Sequence, residues 1–365
     1  MNMNTFCVLG AGNGGVAIAG HLAFKGFKVH LYNRSIENIK NVKNTKEISL
    51  TGAIEGVGRL EKVSDNIEEC MEGAKVLLVV IPATGHRDLI EEMAPFLRED
   101  QIIILNPGRT GGALEVYDYL LTNTSLETIT VAEAQSLIYA CRARADTQAH
   151  IYQMKEMVSV ATLPGNRSGI VMEALDKAFP GFFIQASSVW ETGFNNYGAI
   201  FHPGPTLLNM SRIESGESFK YYTEGITEGV SKVLHKLDLE RMEIGKALGV
   251  KPVSTLEWLY DSYGAQGETI KDCVKKVEAY RGIISPPKLD VRYITEDVPY
   301  SLVPMESIGK ELGLETGTMT SLIDLANTVF GRDFRKIGRT IDKLGLEGMT
   351  AQEMEDFVLH GIKKG

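Results

Sequence analysis

Cysteine is scarce in this sequence, and so are long apolar runs. The four cysteines (Cys7, Cys70, Cys141 and Cys273) form no Cys-x-x-Cys pair, which argues against a disulfide scaffold or a structural zinc site and fits a reducing cytoplasm. The longest mainly apolar run covers residues 76–83, far short of the roughly 18 residues that a membrane span needs. Because the first five residues lack the basic segment of an export signal, we expect a cytoplasmic protein with no membrane anchor. From the cysteine spacing we also expect no bound metal.

A surplus of positive charge is also missing. Asp and Glu number 47 against 38 Lys and Arg, which gives a net charge of -9 and argues against a nucleic-acid partner. Anionic small molecules remain possible ligands, since a few local arginines can dominate a closed site. The length of 365 residues predicts about two domains, and a hydrophobic content of 44% is too high for disorder.

The first half of the chain alternates short apolar runs with segments of helical periodicity. The apolar runs are residues 6–9, 27–32, 76–81 and 101–105. Continuous apolar strands separated by helices predict a doubly wound parallel sheet covered on both faces, as in a Rossmann domain. Residues 47–64 break the rhythm with three glycines, and we interpret them as an irregular or β-hairpin insertion.

The second half is predicted to be mostly α-helical. Apolar residues recur at helical spacing within residues 218–248, and Gly249 provides a stop. Ser254 and Glu257 have the spacing of a capping box, and so do Thr350 and Glu353. The sequence therefore predicts an α/β protein with a dinucleotide-binding domain over residues 1–185 and a helical domain over residues 186–365.

A glycine-rich turn follows the first predicted strand. Residues 10–15 read Gly-Ala-Gly-Asn-Gly-Gly, which satisfies G-x-G-x-x-G and opens a predicted helix within a βαβ unit. In such a turn the first glycine makes the bend, the second admits a pyrophosphate to the helix N-terminus, and the third brings the helix close to the strand. A plain βα turn is the alternative. The predicted cofactor contacts here are Gly10, Gly12, Asn13, Gly14 and Gly15.

Three later strand ends should also face a dinucleotide, because ligands bind beyond the carboxyl ends of parallel strands. The second strand ends in Asn33 and Arg34, where NAD-binding proteins carry a carboxylate for the ribose 2′-hydroxyl. An arginine can instead meet a 2′-phosphate, so NADP is favoured, with NAD also possible. The other two ends supply Ile81, Pro82 and Ala83, and Asn106 and Pro107. Both could also be ordinary βα loops.

His202 is the histidine whose position most suggests catalysis. Packing accounts for His21 and His30, and His86, His235 and His360 are expected at exposed helix positions. His202 precedes Pro203 near the predicted domain boundary, at a helix break from which its ring can project. A capping or packing role is the alternative.

These motifs together resemble the opine dehydrogenases, the octopine/nopaline dehydrogenase group. The resemblance runs almost from end to end. Its bearers are residues 10–15, 105–108, 111–115, 202–203, 205–209, 224–226, 280–283, 292–293, 296–298, 302–304, 333–335 and 338–340. It implies an NAD(P)H-dependent oxidoreductase acting on CH–NH donors, which condenses a 2-oxo acid with the amino group of an amino acid and catalyses the reverse oxidation.

The resemblance also implies roles for individual residues. A His–Asp pair carries the acid/base work in the family, and it matches His202 and Asp297. Substrate carboxylates call for arginine, for which Arg292 is the first choice and Arg281 and Arg142 are the alternatives. Relatives carry a substrate-contacting asparagine one helical turn before the histidine. Because Gly198 stands there in this sequence, we assign the contact to the nearby Asn196.

Two other functions stay open on the sequence. One is a 2-oxo acid reductase of the ketopantoate type, although we find no lysine placed to act as its acid. The other is a non-catalytic NADP-binding sensor, which would have no need for a His–Asp pair. The expected partners are small-molecule substrates, with a homodimer possible. The sequence does not identify the amino acid or the 2-oxo acid.

Overall fold

The computed structural model describes residues 3–363, and the chain divides into two compact units. Unit 1 contains the residues up to Thr192 together with those from Asp356 onward, and unit 2 is Gly193–Glu355. The division after Thr192 lies a few residues beyond the boundary predicted between residues 185 and 186.

Residues 356–363 belong to unit 1, whereas the sequence predicted them in the helical domain of residues 186–365. Phe357 packs edge-on against Tyr117, and the Tyr117 hydroxyl donates a hydrogen bond to the Gly361 carbonyl at 3.1 Å. A contact between residues so distant in sequence leaves no local pattern from which it could be predicted.

Unit 1 contains the predicted doubly wound sheet. The strands are β1 (Thr5–Leu9), β2 (Lys28–Tyr32), β3 (Glu47–Gly52), β4 (Gly56–Arg59), β5 (Lys62–Ser64), β6 (Val76–Val79), β7 (Ile102–Leu105), β8 (Val131–Ala134), β9 (Tyr139–Ala145), β10 (Gln148–Met154), β11 (Val158–Leu163) and β12 (Phe183–Gln185). The main sheet has the order β12-β11-β8-β7-β6-β1-β2-β5, and only β8 and β11 pair antiparallel. Strands β6, β7 and β8 are buried throughout, which explains their unbroken apolar sequences. The chain reverses direction of winding between β1 and β6, and their carboxyl ends form the usual ligand crevice of such sheets.

Helices lie between the strands of unit 1. They are α1 (Asn13–Phe24), α2 (Lys40–Thr45), α3 (Ile67–Met71), α4 (His86–Met93), α5 (Gly112–Asn123) and α6 (Ser168–Ala178). Helix α7 (Val189–Phe194) follows the last strand and ends in unit 2. His86 contradicts the expectation of exposure, since its exposed fraction is 1%. It begins α4 on the stripe that also buries Leu89, Ile90 and Met93, so helical spacing turns it inward.

A second sheet, of order β4-β3-β10-β9, packs on α1. The predicted insertion at residues 47–64 contributes the antiparallel hairpin of β3 and β4. The hairpin of β9 and β10 was not predicted, because the arginines of β9 alternate with small residues and give no apolar run. Helix α1 approaches β4 closely: a Cβ on Gly58 would lie 2.1 Å from the Gly20 carbonyl oxygen.

Unit 2 is helical, as predicted. Its helices, with the last one that leads back into unit 1, are α8 (Gly198–Phe201), α9 (Pro203–Leu208), α10 (Met210–Glu214), α11 (Glu228–Ala247), α12 (Thr255–Tyr263), α13 (Ile270–Lys276), α14 (Arg292–Thr295), α15 (Val303–Glu311), α16 (Gly317–Phe330), α17 (Phe334–Ile337) and α18 (Ala351–His360). Residues Val298–Leu302 form a π-helical turn between α14 and α15. The capping box of Ser254 and Glu257 is confirmed at the start of α12.

The long helix α11 begins later than its periodicity suggests. Its N-cap is Thr227, whose hydroxyl accepts a hydrogen bond from the Val230 amide. Residues 218–227 are non-helical, with a β-bridge at Lys220 followed by a turn. Gly249 follows its end with a φ of 74°, which confirms the predicted stop. Among residues 3–363, no helix combines the length and the apolar character needed to cross a membrane.

Candidate active site

The turn between β1 and α1 has a geometry that only glycine permits at two positions. Gly10 has a φ of +111°, and a Cβ there would lie 2.4 Å from the Ile81 side chain. A Cβ on Gly15 would lie 1.8 Å from the Gly10 carbonyl oxygen. The first and last glycines therefore close the turn and place the start of α1 beside the end of β1.

The middle of the same turn is open. A Cβ on Gly12 would meet no protein atom within 4 Å, so a ligand can approach the backbone amides at the start of α1. Asn13 faces β9, where its Oδ1 accepts a hydrogen bond from the Ala143 amide at 2.9 Å. Gly14 packs against Leu137. Open backbone amides at the positive end of a 12-residue helix fit the pyrophosphate of a dinucleotide.

The side chain of Asn33 hydrogen-bonds to this turn. Its Oδ1 accepts a hydrogen bond from the Ala11 amide at 3.2 Å, and its Nδ2 donates one to the Ser35 carbonyl at 2.9 Å. The side chain thus ties the end of β2 to the glycine turn. Arg34 is left as the charged side chain that directly follows β2.

A cavity of about 380 Å³ in unit 1 brings five of the predicted cofactor residues together. They are Gly10, Asn33, Arg34, Ile81 and Pro82. Sequence reasoning missed the other lining residues, among them Ser35, Asn38, Asp88 and Glu92. The Tyr32 hydroxyl donates to Glu92 at 2.6 Å inside this cavity, and burial together with that carboxylate raises the pKa of Tyr32. Their position just after Arg34 could have identified Ser35 and Asn38 as lining residues.

Residues 12–15 of the glycine turn do not line that cavity, and neither do three other predicted cofactor residues. Ala83 is buried, and Asn106 and Pro107 follow β7. The loop after Pro107 is supported by Glu133, a carboxylate only 1% exposed that accepts the Ala113 amide hydrogen at 2.8 Å and the Thr192 hydroxyl hydrogen at 2.6 Å. Sequence reasoning missed Glu133, because β8 shows no motif that distinguishes it.

In unit 2, His202 lies at the break between α8 and α9, with Pro203 as the first residue of α9. Its Nδ1 is 2.7 Å from Oδ2 of Asp297. Asp297 is 1% exposed at the start of the π-helical turn, whereas 21% of the His202 side chain is exposed. A carboxylate oxygen at this distance accepts a hydrogen bond from Nδ1–H, so the other nitrogen, Nε2, is the one available to a ligand.

Two tyrosines hold the histidine in place. The ring of Tyr293 stacks on the imidazole at a centroid distance of 4.2 Å and an angle of 12°. The hydroxyl of Tyr221 donates to the His202 carbonyl at 2.9 Å. Burial raises the pKa of both tyrosines, and the Asp297 carboxylate adds to the effect. No local pattern pointed to Tyr221, whereas Tyr293 falls inside the family-like block that contains Arg292.

The two predicted substrate residues occupy different surroundings. Arg292 contacts Oε2 of Glu296 through Nε at 2.8 Å and Nη2 at 2.5 Å, while 65% of its side chain stays exposed. It lines an open cavity of about 510 Å³ that also includes Tyr293 and Asp290. Asn196 is 8% exposed, and its Nδ2 donates to the Ser301 hydroxyl at 2.9 Å.

The alternative arginines named in the sequence lie elsewhere. Arg281 forms an exposed ion pair with Glu278, and Arg142 lies on β9 in unit 1. Among the described residues, no group of three or more His, Cys, Asp or Glu side chains is arranged to hold a metal ion. The chemical resources of unit 2 are therefore a carboxylate-oriented imidazole and a partly exposed guanidinium, which suit proton transfer next to an anionic substrate.

The two units match two different family models. Residues 185–330 match the α-helical domain of NAD/NADP octopine/nopaline dehydrogenases, and residues 5–112 match the N-terminus of NAD-dependent glycerol-3-phosphate dehydrogenase. The chain is 38% identical over 355 residues to an opine dehydrogenase from Arthrobacter sp. (strain 1C), covering 97% of this chain and 98% of that protein.

Solved structures share the fold over the whole chain. An octopine dehydrogenase with NADH and L-arginine has a TM-score of 0.85 at 19% identity, covering 99% of both chains. A yersinopine dehydrogenase with NADP+ has a TM-score of 0.73 at 15% identity, covering 98% of both chains. With the identity to the Arthrobacter enzyme, these matches confirm the resemblance stated from the sequence. The chain belongs to the opine dehydrogenase family of NAD(P)-dependent oxidoreductases acting on CH–NH donors.

Proposed function

We propose that this protein condenses a 2-oxo acid with the amino group of an amino acid and reduces the resulting imine to a secondary amine, with His202 as the acid/base residue. The observation that supports this proposal most directly is the 2.7 Å contact of His202 with the buried Asp297, in a chain of the opine dehydrogenase family. A bound nicotinamide cofactor supplies the hydride in this direction and accepts it in the reverse one. One proton is consumed and one water is released when imine formation and reduction are taken together.

His202 moves the protons of this reaction through Nε2. Because Nδ1 keeps its proton and donates a hydrogen bond to Asp297, the neutral ring has its lone pair on Nε2 and can accept the proton of the secondary amine in the oxidative direction. The imidazolium that results is stabilised by the Asp297 carboxylate and by the face of the Tyr293 ring. In the reductive direction the same imidazolium donates a proton when water leaves the carbinolamine.

Arg292 is proposed to bind a substrate carboxylate. Its guanidinium is partly exposed in the cavity lined by Tyr293, the residue that stacks on His202. Arginine presents several N–H donors in one plane, so pairing with Glu296 does not prevent it from engaging a second carboxylate.

NADP is the proposed preferred cofactor. Asn33 accepts from the Ala11 amide of the glycine turn with Oδ1 and donates to the Ser35 carbonyl with Nδ2, so it does not replace the carboxylate that binds a ribose 2′-hydroxyl. Arg34 and Ser35 line the same cavity and supply a cation and a hydroxyl for a 2′-phosphate. The Arg34→Ala variant should weaken NADPH binding by at least about tenfold while leaving NADH binding within about twofold. Equal losses for both cofactors would refute the assignment of Arg34.

The reaction is tested by following NADPH oxidation over a grid of 2-oxo acids and amino acids, with each substrate also supplied alone. Oxidation that requires both substrates supports the proposal. Oxidation with a 2-oxo acid alone would instead indicate a hydroxy-acid reductase. The His202→Ala variant should lose about two to four decades of turnover and retain cofactor binding. Turnover near that of the wild type would refute the role of His202.

A further inference from the structure

A hydrogen-bond chain extends behind the His202–Asp297 pair, away from the imidazole. The Ser301 hydroxyl lies 3.3 Å from Oδ1 of Asp297, the oxygen opposite the one that contacts His202. Nδ2 of Asn196 lies 2.9 Å from the same hydroxyl. Ser301 is fully buried, and Asn196 is 8% exposed. The hydrogen-bond chain therefore runs from Asn196 through Ser301 and Asp297 to His202 in unit 2.

The direction of this chain is set by the backbone. Oδ1 of Asn196 accepts a hydrogen bond from the Gly198 amide at 3.2 Å, so the NH₂ group of the side chain is the end that faces Ser301. An NH₂ group only donates. Ser301 accepts that hydrogen bond, and its single hydroxyl hydrogen is then available for Oδ1 of Asp297.

We propose that Ser301, oriented by Asn196, is a positioning residue for proton transfer at His202. Its hydroxyl donates to Oδ1 of Asp297, which orients the carboxylate and holds Oδ2 against Nδ1 of the imidazole. The inference rests on the proposed function, and it gives the buried Asn196 a role distinct from the substrate contact expected from the sequence. That contact stays a prediction.

Loss of the serine hydroxyl should change the proton affinity of His202. A hydrogen bond donated to one carboxylate oxygen disperses negative charge, so its removal concentrates charge on Oδ2 and stabilises the imidazolium. The titratable and charged groups around the pair are Tyr221, Tyr222 and Tyr293 near Asp297, the ion pair of Arg292 with Glu296, and Arg339 packed on Tyr300. The three tyrosines have raised pKa values and stay neutral across an assay from pH 5 to 9, so their titration does not contribute to the measured pH profile.

The test compares wild type with Ser301→Ala and with a control, Ser307→Ala. Ser307 lies on the next helix, and its hydroxyl accepts the Ile341 amide hydrogen, so the control makes the same atomic change without touching the pair. In the oxidative direction Ser301→Ala should lower kcat at least about tenfold, with KM for the opine within about twofold. The acid limb of its kcat/KM profile should rise by roughly one pH unit. Ser307→Ala should leave both quantities unchanged.

A second measurement does not depend on turnover. Nitrogen-15 NMR of histidine-labelled protein, with His202 assigned through His202→Gln, reports the tautomer and the pKa of the imidazole. Wild type should carry its neutral-form proton on Nδ1, and Ser301→Ala should raise the His202 pKa by roughly one unit. If the wild type lacks opine activity, the proposed function fails, and this spectrum still tests the hydrogen-bond chain.

Asn196→Asp provides a variant of nearly identical shape in case Ser301→Ala does not fold. Its carboxylate accepts the Ser301 hydroxyl hydrogen and so removes the donor from Asp297, which should shift the acid limb in the same direction. The inference is overturned if both variants keep the wild-type acid limb and imidazole spectrum. It is also overturned if Ser301→Ala loses kcat and thermal stability together with an unshifted pH profile, because that is the signature of a structural role alone.

Discussion

Glu306 on α15 carries a buried charge whose contribution to stability can be worked out from its contacts. The residue is 1% exposed. Oε1 accepts hydrogen bonds from Lys310, Thr320 and Nη2 of Arg335, each at 2.6 Å, and Oε2 accepts one from Nε of Arg335 at 2.7 Å. Burial alone would raise the pKa of this carboxyl, but these donors outweigh it and lower the pKa to about 2. Replacement by glutamine removes the charge that they share.

The magnitude follows from the shift in pKa. A fall from the ordinary value of 4.5 to about 2 corresponds to about 3 kcal/mol of stability at pH 7, since each pH unit is about 1.4 kcal/mol. A carboxyl with a lowered pKa in the folded state contributes fully above pH 4.5 and loses its contribution as the pH falls toward 2. We therefore expect Glu306→Gln to destabilise unit 2 by about 3 kcal/mol at pH 7 and by about 2 kcal/mol at pH 3.5.

The assay is urea unfolding followed by tryptophan fluorescence. In a Trp190→Phe background the remaining tryptophan is Trp258 on α12, so the signal reports unit 2. Glu243→Gln serves as the control, because Glu243 forms an exposed ion pair with Lys246 and should matter little. The reasoning is refuted if Glu306→Gln costs no more than Glu243→Gln, or if its cost does not change between pH 7 and pH 3.5.

Three further predictions concern unit 1. Gly15→Ala should abolish tight NADPH binding and lower the melting temperature. Gly12→Ala should weaken NADPH binding and leave the melting temperature unchanged. Equal melting temperatures of the two variants would contradict the close contact of Gly15 with the turn. Glu133→Gln should lower the free energy of unfolding by about 1–3 kcal/mol in thermal or urea unfolding, because the Ala113 amide and the buried Thr192 hydroxyl lose a carboxylate acceptor. A wild-type value would refute this. Burial and the nearby Lys25 ammonium lower the pKa of His21 to about 4, so its neutral ring contributes stability that is complete above pH 6.5 and is lost as the pH falls toward 4. NMR should show no titration of His21 between pH 8 and 5, and an inflection near 6.5 would contradict the buried environment.

Local signals in the sequence were sufficient for the dinucleotide-binding fold. The apolar strands and the glycine turn each depend on residues close together in the chain, and the structure has them. The helix stop at Gly249 in unit 2 is a local signal of the same kind. His202 belongs to the same class, because the break before Pro203 is visible locally. The hairpin of β9 and β10 escaped prediction because its exposed arginines hide the periodicity of a strand.

The contacts that orient the site residues are tertiary and could not be predicted from local patterns. Asp297 lies 95 residues from His202 in sequence, and it was identified only through the family resemblance. Tyr293 stacks on the imidazole from α14. The donation from Ser301 depends on the π-helical turn, which has no sequence signature of its own. Asn33 was expected to face the ribose, but its hydrogen bond to the Ala11 amide depends on how β1 and β2 pair.

The most direct test of the proposed reaction is the identity of its product. Wild-type protein is incubated with a 2-oxo acid, an amino acid and NADPH that carries deuterium at the transferred position, and the mixture is analysed by mass spectrometry. The account predicts a secondary amine joining the two carbon skeletons, with one deuterium on the former keto carbon and none in the absence of either substrate. A deuterated 2-hydroxy acid with no joined product would contradict it.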